Sequence, residues 1–259
     1  MRRSASAFDP SDARRDARLS ALRAPRTFRT LRFAVAMCFV AAVFSLPASG
    51  AFTLREVTVA GNRTLSEAEV IRRSGLRPGR PLRAADAERA AAAVRSIPQV
   101  RSAAVHIAWP HRAVVTVTER SPLLALSGSG GVLVLDEGGV PFRRQAHPDG
   151  LVPLTVGLPL PWVRLGEPVP HRGVREVAAA FASLDAAQRS RISSMQIDVH
   201  GDLVVQTASG VTLRVGEPAE LGGRMRLAEE ILRALADRGI VARELDLRFG
   251  EKVVVRPEP

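Results

Sequence analysis

Beyond residue 54 the chain alternates between short stretches of period two and windows of helical period. Val57 and Val59 alternate with Glu56, Thr58 and Ala60, which predicts a half-buried strand ended by Gly61-Asn62. Ser66 with Glu69 three residues on reads as a capping box, Leu65 and Val70 are spaced to staple it, and Gly75 closes the helix. A second helix runs from about Ala84 to Ser96, with Ala87, Ala90, Ala91, Val94 and Ile97 on one face, until Pro98 stops it. Ala103, Val105, Ile107 and Trp109 then alternate with their neighbours, Pro110-His111 turns the chain, and Ala113, Val115 and Val117 alternate again, a β-hairpin. The order strand, helix, helix, strand, strand predicts a small unit with both helices on one sheet face, ending near Ser121-Pro122.

After Pro122 short strands are expected around 132–135, 151–156, 192–199, 203–207 and 211–215, separated by glycine-bearing turns. Two helices interrupt them, Gly173 to Ala187 and Glu220 to Arg238, the second with Leu221, Met225, Leu227, Ala228, Ile231, Leu232 and Leu235 on or beside its buried side. The last stretch, Val241 to Arg256, reads as two strands joined at Gly250-Glu251. The whole is an α+β chain whose second unit is mostly antiparallel.

One stretch fits neither period. Phe33 to Leu54 holds no charge, and as a helix its 22 residues would extend about 33 Å, close to the ~30 Å hydrocarbon core of a bilayer. Arg26, Arg29 and Arg32 precede it while Arg55 and Glu56 cancel after it, which places the N-terminus in the cytoplasm and the folded units outside. A cleaved signal peptide ending near Ala48 to Ala51 and a buried helix compete with a single transmembrane helix. The long tail before the run favours the anchor.

Charge and composition change this picture only modestly. Of the net +11, residues 1–32 contribute +6, from nine Arg against Asp9, Asp12 and Asp16. Lys252 is the only lysine among 37 basic residues, and with no tyrosine the excess of arginine looks as much like codon bias as like selection for phosphates. Few aromatic residues are present to stack on bases, so nucleic acid is not expected as a partner. The lone cysteine, Cys38, lies in the apolar run, so no disulfide and no thiolate metal site is expected in the folded part.

Candidate chemistry is sparse. His106, His111, His147, His171 and His200 stand apart without an HExxH pair, so no metal site is expected. Gly128-Ser129-Gly130 leads from strand to strand, unlike a nucleophile elbow, and no phosphate-binding glycine loop is present. No catalytic residue, cofactor or small-molecule substrate is expected, and the chain reads as a binding protein.

Several motifs, in order, carry a resemblance: Val57-x-Val59-x-Gly61-Asn62, Ile97-Pro98-x-Val100, Trp109-Pro110, Val115-x-Val117-x-Glu119-Arg120-x-Pro122, Asp136-x-x-Gly139 and Leu245-Asp246-Leu247-Arg248. With them the chain resembles the FtsQ/DivIB family of bacterial cell-division proteins. The resemblance implies a basic cytoplasmic tail at 1–32, a transmembrane helix at 33–54, a POTRA domain (β-α-α-β-β) at 55–121, an FtsQ-type β-domain at 122–256 and a C-terminal end at 257–259. It also implies a non-catalytic divisome scaffold in the inner membrane at the septum, with FtsB, FtsL and septal cell-wall synthesis proteins as partners. A POTRA-bearing component of an export or outer-membrane assembly system is the alternative.

The resemblance and the sequence meet at the C-terminus. Glu251 to Arg256 is β-prone and closed by Pro257, and at a sheet edge its free N–H and C=O groups would accept a partner's strand. Arg248 and Phe249 match the family's DLR-aromatic motif, so Arg248, Phe249, Glu251, Lys252, Val253 and Val255 are the candidate partner-binding residues. Against this stands the plainer possibility that Phe249, Val253 and Val255 are core and Arg248 is a surface charge.

Overall fold

Capping decides where the first helix begins and ends. In a computed structural model, which describes Met37 and residues 53–81, 84–108, 110–128, 130–160, 162–249 and 252–257, Ser66 accepts from the Glu69 N–H and Gly75 ends the helix in the left-handed region at φ +69°. Only that half of the expected capping box forms. The helix, α1 (Glu67–Ser74), and α2 (Ala84–Arg95) pack with a sheet of β1 (Glu56–Ala60), β2 (Val100–Ala108) and β3 (Arg112–Glu119), in the order β1-β3-β2. β2 and β3 are the expected hairpin, and β1 lies parallel to β3. Val70, Ala90, Val94, Ile97, Ala113, Val115 and Val117 form the core between them.

Gly61 is required where β1 ends. At φ +85° a Cβ would collide with the Val117 carbonyl, so only glycine lets the turn cross β3 at this distance. Glu119, at the end of β3, then clasps the turn: its carboxylate accepts from the Arg63 N–H at 2.7 Å, the Thr64 and Leu65 N–H groups at 3.0 Å and the Thr64 hydroxyl. Partial burial works to raise the pKa of this carboxyl, but the Thr64 hydroxyl and the three amides outweigh it and hold the value at about 2.

The expected membrane span lies outside the described residues except for Met37 and its last two positions, Thr53 and Leu54. Leu54 is not a lipid-facing residue: it is 2% exposed in the core of the first domain. Its N–H donates to the Arg80 carbonyl, and its own carbonyl accepts from the Gly79 N–H. An apolar residue at the boundary satisfies either setting by hydropathy, and its backbone partners, far along the sequence, decide. Among the described residues no helix is long and apolar enough to cross a membrane.

Nine strands form the second sheet: β4 (Leu124–Gly128), β5 (Gly131–Leu135), β6 (Pro141–Gln145), β7 (Val152–Val156), β8 (Ile192–Ile197), β9 (Leu203–Thr207), β10 (Thr212–Gly216), β11 (Ala242–Phe249) and β12 (Lys252–Pro257). Their order is β12-β11-β10-β9-β8-β7-β4-β5-β6. The pairs β4/β7, β7/β8 and β10/β11 are parallel and the remaining five are antiparallel, so the sheet is mixed with an antiparallel majority. α3 (Arg172–Ser183) and α5 (Leu221–Ala236) cover it through Val174, Val177, Phe181, Leu221 and Met225.

The helix expected over Gly173 to Ala187 is two helices. α3 stops at Ser183, and Asp185 with Gln188 forms a reciprocal capping box that starts α4 (Ala186–Ser190). α3 also begins on an unexpected cap, the ring of His171, whose Nδ1 accepts from the Val174 N–H at 3.3 Å.

Arg120 and Asp136 join the two domains. Asp136 receives the Arg120 guanidinium on one oxygen and the Gly138 and Val140 N–H groups on the other, while Arg120 Nε donates to the Pro98 carbonyl at 3.2 Å. The Asp136 side chain is 4% exposed. Arg101 pairs with Glu137 beside it.

Candidate functional site

The sheet has two outer strands, and they are finished differently. β6 opens on Pro141, which lacks an N–H, and its carbonyl already accepts from the Gly166 N–H at 2.7 Å. β12 pairs with β11 through Leu245↔Val255 and Asp246↔Val254, and no described strand lies on its other side. The backbone donors and acceptors of this six-residue strand that point away from β11 therefore border solvent.

Side chains alternate along β12. Val253 and Val255 turn inward and pack on the main core, while Lys252, Val254 and Arg256 are exposed, Val254 by 48%. Inward anchoring on two valines holds the edge strand on the sheet, and the pairing with β11 shifts register between Asp246 and Phe249.

β11 sets the chemistry beside the edge. Leu245 and Leu247 are fully buried, so period two sends Asp246 and Arg248 to the opposite face. Arg248 donates from Nε to Asp246 Oδ1 at 2.9 Å and from Nη2 to Oδ2 at 2.7 Å, and from Nη1 to Asp202 at 3.1 Å. The hydrogen bonds from Arg248 hold the Asp246 carboxyl below its ordinary value, and Asp246 and Asp202 raise the pKa of Arg248 further above neutrality. The guanidinium is thereby fixed over the ring of Phe249, 5.5 Å from its centroid. Phe249 remains 59% exposed. On the same strand, Glu244 joins Arg214 of β10 at 2.5 Å and Arg256 of β12 at 3.1 Å, tying the edge strand to the sheet by charge.

A depression of about 370 Å³ runs beneath this pair, lined by Asp202, Gly216, Glu220, Arg224, Arg248 and Phe249. Gly216, at φ +85°, leaves room for Arg248, since a Cβ there would sit 3.2 Å from Arg248 Cγ.

The candidate residues are thus partly brought together. Arg248 and Phe249 are adjacent and ordered, Lys252 is exposed on the edge strand, Val253 and Val255 are its anchors, and Glu251 lies outside the described residues. Phe249 is not core. Sequence reasoning missed Asp202 and Asp246 as the groups that orient Arg248, and Val254 as the exposed apolar residue of the edge. The Leu-Asp-Leu-Arg alternation carried the signal for Asp246; Asp202 reaches Arg248 from 46 residues away and left none. Among the described residues no cluster of His, Cys, Asp and Glu is placed to hold a metal.

A helix-backed three-stranded domain followed by a large mixed sheet that ends in an unpaired β12 defines an α+β protein of two domains. Residues 52–120 match the POTRA domain, FtsQ-type, and residues 125–248 match the C-terminal domain of cell division protein FtsQ/DivIB. The chain belongs to the FtsQ/DivIB family of cell-division proteins. It is 33% identical over 204 residues to the cell division protein FtsQ of Myxococcus fulvus, covering 76% of this chain and 69% of that one. To the cell division protein FtsQ of Streptomyces coelicolor it is 26% identical over 230 residues, covering 85% and 86%. The extracytoplasmic domain of the cell division protein DivIB from Geobacillus stearothermophilus matches with a TM-score of 0.34 at 15% identity, over 46% of this chain and 97% of that one.

Proposed function

We propose that this chain is a non-catalytic, single-pass scaffold of the division machinery, anchored by the apolar run that begins at Phe33, with the two folded domains outside the cytoplasmic membrane at the septum. FtsB and FtsL are its partners, and through them it recruits or regulates septal cell-wall synthesis. The observation that carries the reading is the open edge of β12 beside the fixed Arg248–Phe249 pair. A partner strand adding to β12 completes the ladder, which supplies affinity through main-chain hydrogen bonds. Phe249 and Val254 offer apolar contact on either side, and Arg248 offers a positive group already oriented by Asp246 and Asp202. Pre-ordering of that side chain lowers the entropic cost of binding.

The test is copurification of FtsB and FtsL with the full chain. Val253→Pro removes an N–H from the edge strand and Phe249→Ala removes the exposed ring; each lowers recovery at least about tenfold, the equivalent of ~1.4 kcal/mol. Undiminished recovery with unchanged circular dichroism refutes the edge as the docking site. A fluorescent fusion spread evenly over the membrane, with normal septation on depletion, refutes the division role itself.

A further inference from the structure

The first domain carries a feature that strand docking does not use. A concavity of about 510 Å³ opens between the end of α1 and the body of α2, with Leu54 at its wall and Arg73, Arg77, Arg80 and Arg89 around its rim. Asp86 is the one carboxylate lining it, and it faces Arg89 at 3.6 Å. Arg73, Arg77 and Arg80 are exposed and form no ion pair among the described residues. Three unpaired guanidinium groups around one hollow repel each other, an arrangement that gains stability when an anion enters.

The position of the hollow is fixed by backbone. The loop carrying Arg77 and Arg80 is bonded to the last two residues of the apolar run: Leu54 N–H donates to the Arg80 carbonyl at 2.9 Å, Gly79 N–H donates to the Leu54 carbonyl at 2.7 Å, and Thr53 bridges Pro81. Between Gly50, near the end of the run, and Leu54 the chain reaches at most about 14 Å. On the anchored reading given above, on which this inference rests, the three arginines are held within reach of the outer headgroup layer. We infer that this basic hollow docks on anionic phospholipid headgroups, seating a lipid phosphate among Arg73, Arg77 and Arg80. Guanidinium suits the task because its planar fork takes two phosphate oxygens at once and is less strongly hydrated than an ammonium. The tether supplies a high effective concentration, so weak single contacts suffice. The docked domain is held at a fixed tilt, which presents β12 in one orientation to partners rising from the same membrane.

The test uses the full chain in nanodiscs of phosphatidylcholine alone or with one third phosphatidylglycerol, read by hydrogen exchange of residues 73–81. Each arginine near an anionic surface contributes about fivefold, so the three together raise the docked population on the order of 100-fold. Exchange slows in the anionic discs, and the slowing is lost in the combined Arg73→Gln, Arg77→Gln, Arg80→Gln variant and in high salt. Equal exchange in the two discs, or slowing that survives in the variant, overturns the inference. Equal slowing by excess inorganic phosphate in phosphatidylcholine discs also overturns it, since the hollow would then take a free anion. Alkaline carbonate extraction reads the anchor separately: a chain washed from membranes sinks the anchored reading, and sedimentation of the same chain with phosphatidylglycerol vesicles still decides headgroup binding.

Discussion

Replacing Glu119 by glutamine keeps the shape of the side chain and removes its charge, which isolates what the carboxylate does for the turn after β1. As a carboxylate it accepts from three backbone N–H groups and the Thr64 hydroxyl, donors that water would otherwise have to satisfy. The depression of its pKa from 4.5 to about 2 corresponds to a ceiling near 3.4 kcal/mol, and screening at a partly exposed site reduces this to about 1.5–2 kcal/mol. Glu119→Gln is therefore expected to speed exchange of the Arg63, Thr64 and Leu65 amides about ten- to thirtyfold at pH 7 and to lower the unfolding free energy by a similar amount. The sign with pH follows from the depressed value. The charge stabilises fully above about pH 4.5 and is lost as pH falls towards 2, so urea midpoints of wild type and variant converge over that window. Amides that exchange at the wild-type rate, or a gap that persists undiminished at pH 2, would refute the clasp.

Asp136→Asn leaves Arg120 buried without a charge partner and is expected to cost about 3 kcal/mol, read as a lowered denaturation midpoint; a loss under ~1 kcal/mol would show that the pair is solvated. Gly61→Ala forces a Cβ onto the Val117 carbonyl at positive φ and should destabilise the first domain by about 2 kcal/mol or more, measured by thermal unfolding. Leu54→Ala should cost the same domain about 2–4 kcal/mol, whereas a lipid-facing Leu54 would leave its unfolding unchanged.

Much of the first domain was legible because its signals are local. Ser66, Gly75 and Pro98 punctuate the helices, and the alternation in β2 and β3 marks the hairpin. The pairing of β1 with β3 was not legible, since a strand of five residues carries no mark of its neighbour. β4 escaped notice because Leu124, Ala125 and Leu126 are buried on both faces, which erases alternation, and β6 because Arg143 and Arg144 stand exposed in a short edge. At the candidate site the sequence raised the edge position of β12 only as a condition and left Phe249 open between a partner contact and the core, and the ionic seat under Arg248 depends on Asp202, brought close only by the β9–β10–β11 order. Glu119 and Arg120 were visible as a motif before their purpose was: one pins a turn within the first domain and the other joins it to the second.

The parallel pairing of β1 and β3 governs how the molecule carries load. On the anchored reading, a pull from the membrane enters at the start of β1 and leaves towards the second domain at the end of β3. Because the strands run the same way, that pull slides one along the other, and the pairs from Glu56↔Arg112 to Ala60↔Thr116 resist together instead of opening one at a time. On that reading a tug on the tether is borne along the whole β1–β3 ladder rather than at its first pair.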